Sequence, residues 1–240
     1  MQTFISLRSF DLKIRRDESL TEPHVELPAD AQSIYVDIAA SSVRIDEPKS
    51  GGHSGWLNRN SAEHHDEPII LTLPSDIMGG EITCSAGSIT TDVAVSHLKI
   101  KVGAGDIFAG KVTASSIKSG AGTIKIGQLD SSEVKNGAGA IDVERLTTEG
   151  DSSLKSGAGD VVVATIVGGQ TAHNVSLKTG VGSIRAGIAQ GTATYLDLKS
   201  GLGKVSSELA QTDVPRADVH KVRIEGKAGT GAIEIYRAVQ

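Results

Sequence analysis

The sequence predicts an all-β, single-domain β-solenoid, a parallel β-helix-like stack, with an irregular N-terminal β cap. Three observations carry this. A Gly-x-Gly phrase followed by one residue and then Ile or Val returns seven times. On both sides of the phrase apolar residues alternate with polar ones, the period-2 mark of a half-buried strand. Finally, the 240 residues hold 28 glycines but only 6 prolines; regular turns account for that load, whereas disorder and collagen do not.

Residues 1–83 read as a cap plus early coils of the same domain. Candidate strands are Val25-Glu26-Leu27, Ile34-Tyr35-Val36-Asp37-Ile38, Val43-Arg44-Ile45 and Ile69-Ile70-Leu71-Thr72-Leu73. Ala40-Ser41-Ser42-Val43-Arg44-Ile45 reads as a degenerate copy of the repeat phrase. Terminal coils are atypical because they must cover an open strand edge. A polar, glycine-rich loop over 48–68 carries Trp56, the sole tryptophan, with His64 and His65. Long loops of this kind are commonly mobile or functional, so these three residues form a candidate partner loop.

From residue 84 to 240 the repeat dominates. Its first glycines are Gly103, Gly120, Gly137, Gly157, Gly180, Gly201 and Gly229, spaced 17, 17, 20, 23, 21 and 28 apart. Ser85-Ala86-Gly87-Ser88-Ile89 is the same phrase with its first glycine replaced. Three positions ahead of the phrase stand Ile100, Ile117, Val134, Leu154, Leu177 and Leu198; behind it come pairs such as Ile124/Ile126 and Ile141/Val143. Each repeat is therefore strand, glycine corner, strand and return. Seventeen residues are too few for a strand–helix–strand crossover, but they suit one coil whose strands pair with those of the next. At about 4.8 Å per strand, eight coils give a column of roughly 35–40 Å. Glycine suits the corner because it tolerates positive φ and lets neighbouring coils approach. The small polar residue before it (Ser119, Asn136, Ser156, Thr179, Ser200) suits turn amides. Length differences collect in the returns, 144–153, 167–174, 190–194 and 211–220, as a solenoid tolerates.

Composition narrows the function classes. A net charge of −5 gives no global attraction to nucleic acid or anionic membrane. No apolar stretch is long enough for a signal peptide core or a membrane span, so a cytoplasmic protein is the expectation. Cys84 is the single cysteine; its neighbours offer no cation to activate a thiolate.

The recurrent Leu-Lys-Ser-Gly-Ala-Gly-Asp-Val phrase (154–161), Tyr195-Leu196-Asp197-Leu198, Gly203-Lys204-Val205-Ser206-Ser207-Glu208-Leu209 and Gly231-Ala232-Ile233-Glu234-Ile235 resemble the bacterial β-strand-repeat family labelled "putative adhesin". The actinobacterial members are the most similar in these closing coils. That family has no established activity. The resemblance covers nearly the whole chain and implies a β-solenoid; it implies no cofactor and no catalytic residue.

One chemical feature recurs with the fold. A lysine stands two positions before every full phrase: Lys101, Lys118, Lys135, Lys155, Lys178, Lys199 and Lys227. Stacked coils would place them in one column, where neighbours repel by roughly 0.9 kcal/mol in water. They are the candidate polyanion-binding residues, for an acidic glycan, a nucleic acid or an anionic lipid. Alternatively they are exposed residues copied with the repeat and offset by Asp106, Asp142, Asp160 and Glu234. Scarce aromatics argue against single-stranded nucleic acid.

Other chemistry finds little support. His64-His65-Asp66-Glu67 with His53 lacks the spacing of a tetrahedral metal set. Only Asp106 and Asp160 carry the aspartate of a calcium-binding nonapeptide roll. A dinucleotide fingerprint precedes a helix, whereas here the glycines precede strands. There is no Gly-x-Ser-x-Gly elbow, and Asp106 and Asp160 lie three coils apart, about 14 Å, too far to act together on one glycosidic bond. The expectation is a non-catalytic structural or interaction scaffold, binding a protein partner or self-associating through an incompletely capped coil. A polyanion-binding module is the alternative, and a carbohydrate-active enzyme a distant third.

Overall fold

The computed structural model describes residues 1–29, 31, 33–48, 67–209 and 220–238. Among them every regular element is a strand, and the strands form two sheets, one of eleven and one of twelve. One coil shows the construction. Ile107–Thr113 runs in the second sheet, the chain turns, and Ser116–Ala121 runs in the first. A glycine corner then delivers it to Ile124–Asp130, back in the second sheet. Ile107, Val112 and Ile117 point inward and are fully buried.

Parallel, in-register pairing turns each inward position into a column. In the second sheet Ile107, Ile124, Ile141, Val161, Ile184 and Ile233 stack in sequence. In the first, Ile82, Ile100, Ile117, Val134, Leu154 and Leu177 do the same. All of these are 0% exposed, and burying each such side chain stabilises by about 1.5–3 kcal/mol. The core is thus a continuous aliphatic rod between the sheets.

The glycine corners fit for the two reasons the sequence suggests. Gly139 has φ +122°, and a Cβ there would collide with the carbonyl oxygen of Gly122 one coil away. At Gly137 φ is unexceptional, yet an added Cβ would collide with the Gly120 carbonyl. The residues before the corner behave differently from expectation. Ser119, Asn136, Ser156 and Thr179 are buried, and they donate hydrogen bonds to carbonyls instead of receiving them from turn amides. Asn136 Nδ2 donates to Gly122 O at 2.7 Å, Ser156 Oγ to Gly139 O at 3.0 Å and Thr179 Oγ1 to Gly159 O at 2.8 Å. Extended corner carbonyls inside the stack need donors, which explains a polar residue at an inward position.

The opposite corner uses a left-handed residue at His97, Ala114 and Ser131 (φ 51°, 47° and 47°). Buried serines close it. Ser132 Oγ donates to Asp130 O at 2.6 Å and accepts from Ser115 N at 3.0 Å. The longer returns at 148–151, 168–172 and 189–191 fall at this same corner.

At both ends the spatial order departs from the chain order, which corrects the expectation of a simple sequential stack. Gln2–Leu7 lies between Gly79–Ala86 and Ser42–Asp46, and His220–Thr230 lies between His173–Val181 and Thr192–Leu202. Apolarity decides the arrangement. Val222, Ile224, Ile233 and Ile235 are buried in the inner coil, whereas Thr192–Leu202 and Val205–Ser207 are too polar for a position covered on both sides. Leu198 leans into the room left by Gly226, where a Cβ would lie 2.7 Å from its Cδ2. The phrase at Ala40–Ile45 is also no corner: Tyr35–Ala39 and Ser42–Asp46 pair antiparallel within the first sheet. Together with His24–Glu26, antiparallel on Ile69–Leu73, the strand Tyr35–Ala39 covers that end of the stack.

Candidate functional site

The outer face of the first sheet carries the lysine column. Lys101 faces Lys118, followed by Lys135, Lys155, Lys178, Lys227 and Lys199. All seven predicted residues fall in one row, with Lys227 and Lys199 exchanged relative to the sequence. The bare glycine row Gly103, Gly120, Gly137, Gly157, Gly180, Gly229 and Gly201 runs beside it.

Acids on the other side neutralise much of this row. Glu81 pairs with Lys101 at 3.0 Å and Lys99 at 3.3 Å, and Glu133 with Lys135 at 2.6 Å. Glu225 bridges Lys227 at 2.5 Å and Lys178 at 3.3 Å, and Asp197 reaches Lys199 at 3.2 Å. Hydrogen bonds from Lys227 and then Lys178 hold the Glu225 carboxyl down to about 2. Glu133 is lowered chiefly by Lys135, with smaller contributions from Lys118 and Lys155. Among the described residues Lys118 and Lys155 have no ion pair, so the least compensated charge lies mid-column. The expected partners Asp106 and Asp160 serve elsewhere. Asp106 Oδ1 accepts from Thr123 N, and Asp160 Oδ1 from Ser183 N, both at 2.7 Å. They tie one corner to the next, and a backbone amide needs an acceptor there.

The second notable surface is the outer edge of the coil Thr192–Ser207, which sequence reasoning raises only in general terms. Tyr195, Leu202 and Val205 are 59%, 73% and 42% exposed. The Arg223 guanidinium sits 4.4 Å from the Tyr195 ring centroid, an attraction worth about 0.5–1 kcal/mol at an exposed site. The 28-residue step from Gly201 to Gly229 is the one signal in the sequence that marks this coil as displaced.

Among the described residues the remaining candidates supply no further site. Trp56, His64, His65 and His53 lie outside the described residues. Among the described residues no group of three His, Cys, Asp or Glu could hold a metal ion, and no helix is long and apolar enough to cross a membrane. His173 lies 2.8 Å from Thr171 Oγ1 on an exposed return. Cys84 is buried, its Sγ 3.5 Å from Phe10 O. Burial, then Asp11 and Glu47, push its thiol up to about 12, so it is no nucleophile at neutral pH.

A comparison with curated proteins finds no match. Two crystal structures are similar to the chain. One is a "putative adhesin" from Bacteroides fragilis NCTC 9343, at 15% identity and a TM-score of 0.57, covering 98% of this chain and 90% of that one. The other is a "putative cell adhesion protein" from Clostridium sporogenes ATCC 15579, at 13% identity and a TM-score of 0.31, covering 98% and 92%. The first shares the fold. A family model, Toastrack DUF4097, matches residues 25–235. On that match, which spans most of the two-sheet stack, the chain belongs to the Toastrack DUF4097 family.

Proposed function

We propose that this protein is a non-catalytic interaction scaffold that binds other proteins through the open edge of its stack. The observation that carries the reading is the asymmetry of the ends. Among the described residues both ends finish in strands paired on one side only, but Tyr35–Ala39 and His24–Glu26 are short antiparallel strands of 5 and 3 residues, whereas Thr192–Leu202 is an 11-residue strand that runs parallel to the stack and continues its register. An uncovered strand edge presents a row of backbone donors and acceptors, and natural proteins rarely leave one without a use or a guard. The shared fold of the Bacteroides protein, itself described as a "putative adhesin", agrees with a binding role. To test this, a photo-crosslinking amino acid is placed at Tyr195 in the full chain and, as a control, at Ser116 on the sheet face, in cells that make the protein. Protein adducts are expected from Tyr195 at several times the Ser116 yield. Equal yields, or none at either position, would overturn the reading.

A second reading rests on the register of the lysine column. An anionic polymer lying along Lys118, Lys135 and Lys155 would meet charges at every coil, and its binding would fall steeply with salt. Under this reading the protein is retained on heparin at low salt, and K118E/K135E/K155E abolishes the retention. Retention that the triple variant leaves unchanged removes the polyanion site.

A further inference from the structure

We infer that the occupant of the open edge is a second copy of this chain, paired antiparallel about a twofold axis at Leu198. This rests on the scaffold reading and specifies its partner. Backbone direction limits the registers. Lys221 N bonds to Gly169 O at 2.8 Å, on the side away from this edge, so at the pair Ala193–Lys221 the bonds come from Ala193, and from there to Lys199 the odd-numbered residues of the edge spend their amides and carbonyls on the inner coil. By strand alternation those of Thr194, Leu196, Leu198 and Ser200 turn toward the open side. An antiparallel mate must therefore set even residues against even ones, and so odd against odd.

Side chains then select among the remaining registers. The side chains of Ala193, Tyr195, Asp197 and Lys199 occupy the outer face, opposite to Thr194, Leu196, Leu198 and Ser200, which pair with the inward column Val222, Ile224, Gly226 and Ala228. Centring on Asp197 or on Lys199 would oppose like charges directly, which is destabilising. Centring on Leu198 instead sets Asp197 against Lys199 of the second copy, twice by symmetry. It also sets Tyr195 against the copy's Gly201, where the ring covers bare backbone. On the inner side Leu198 meets its own counterpart and Leu196 meets Ser200, extending the apolar rod across the junction. A twofold contact of this kind is self-complementary and closes at two copies. Another copy also has the same coil cross-section, so it covers both sheet edges and the core between them at once.

The full-length protein is followed by sedimentation equilibrium from micromolar to near-millimolar concentration. A monomer–dimer equilibrium is expected. D197K, which opposes lysine to lysine, weakens it by at least tenfold, and D197K/K199D restores it; circular dichroism confirms that both variants are folded. A monomer throughout the range would overturn the inference, as would a dimer indifferent to D197K or not restored by the double exchange. The crosslinking at Tyr195 separates the two levels. Adducts of twice the chain mass support the second copy. Adducts with other proteins alone overturn it and leave the scaffold reading standing.

Discussion

Replacing Gly139 with alanine is expected to remove about 3–5 kcal/mol of folding free energy, whereas the same change at Gly191 removes about 1 kcal/mol. Both glycines have positive φ, +122° and +76°, so both substitutions place an L side chain in a left-handed backbone. The difference lies in the surroundings. Nothing lies within 4 Å of a Cβ built at Gly191, on an outer turn. At Gly139 the new atom meets the Gly122 carbonyl, and that oxygen is fixed by the Asn136 side chain at 2.7 Å. Backbone held on both sides cannot give way without parting two coils. For a domain stable by 5–15 kcal/mol this loss approaches the whole. Chemical denaturation of the two variants against the parent measures it, and equal losses would show that close approach between corners is not what selects glycine.

The repeat was legible because one set of residues does two jobs in it. Gly137 and Gly139 mark the corner in the sequence and also set how near the coils stand in space, so a sequence period becomes a stacking period. The lysine column followed from the same register. What stayed hidden was whatever depends on competition between coils. Nothing local in Val222–Ile224 or Ile233–Ile235 says that this strand pair will displace Thr192–Ser207 from the next place in the stack. The outcome turns on which coil loses more by standing outside, a comparison between distant segments. The acids that offset the lysines share one repeat position, two residues before the lysine, at Glu133, Asp197 and Glu225, but Ser116, Ser153 and Ser176 hold that position in other coils, so the row does not stand out as a charged repeat. Asn136, Ser156 and Thr179 were legible as polar but not as inward, because strand alternation near a sharp corner does not announce which side a small side chain takes.

Ile235→Ala is expected to cost about 2–5 kcal/mol, as much as a substitution in the middle of the stack, while Val205→Ala costs under about 1 kcal/mol. A strictly sequential solenoid would reverse the order, because residue 235 would belong to its outermost coil and residue 205 to an inner one. The structure puts Ile235 between Ala186 on one side and Ser207 on the other, 0% exposed, and leaves Val205 42% exposed at the edge. Truncating the isoleucine opens a cavity lined by neighbouring coils that are hydrogen-bonded in place and cannot collapse into it. Truncating the valine only trims a side chain that water already reaches. Thermal unfolding at a concentration low enough to keep copies apart isolates these intrinsic terms from any gained by association. Should Val205→Ala prove the costlier change, the tucked position of Ile233–Arg237 would be wrong, and with it the identity of the strand that forms the open edge.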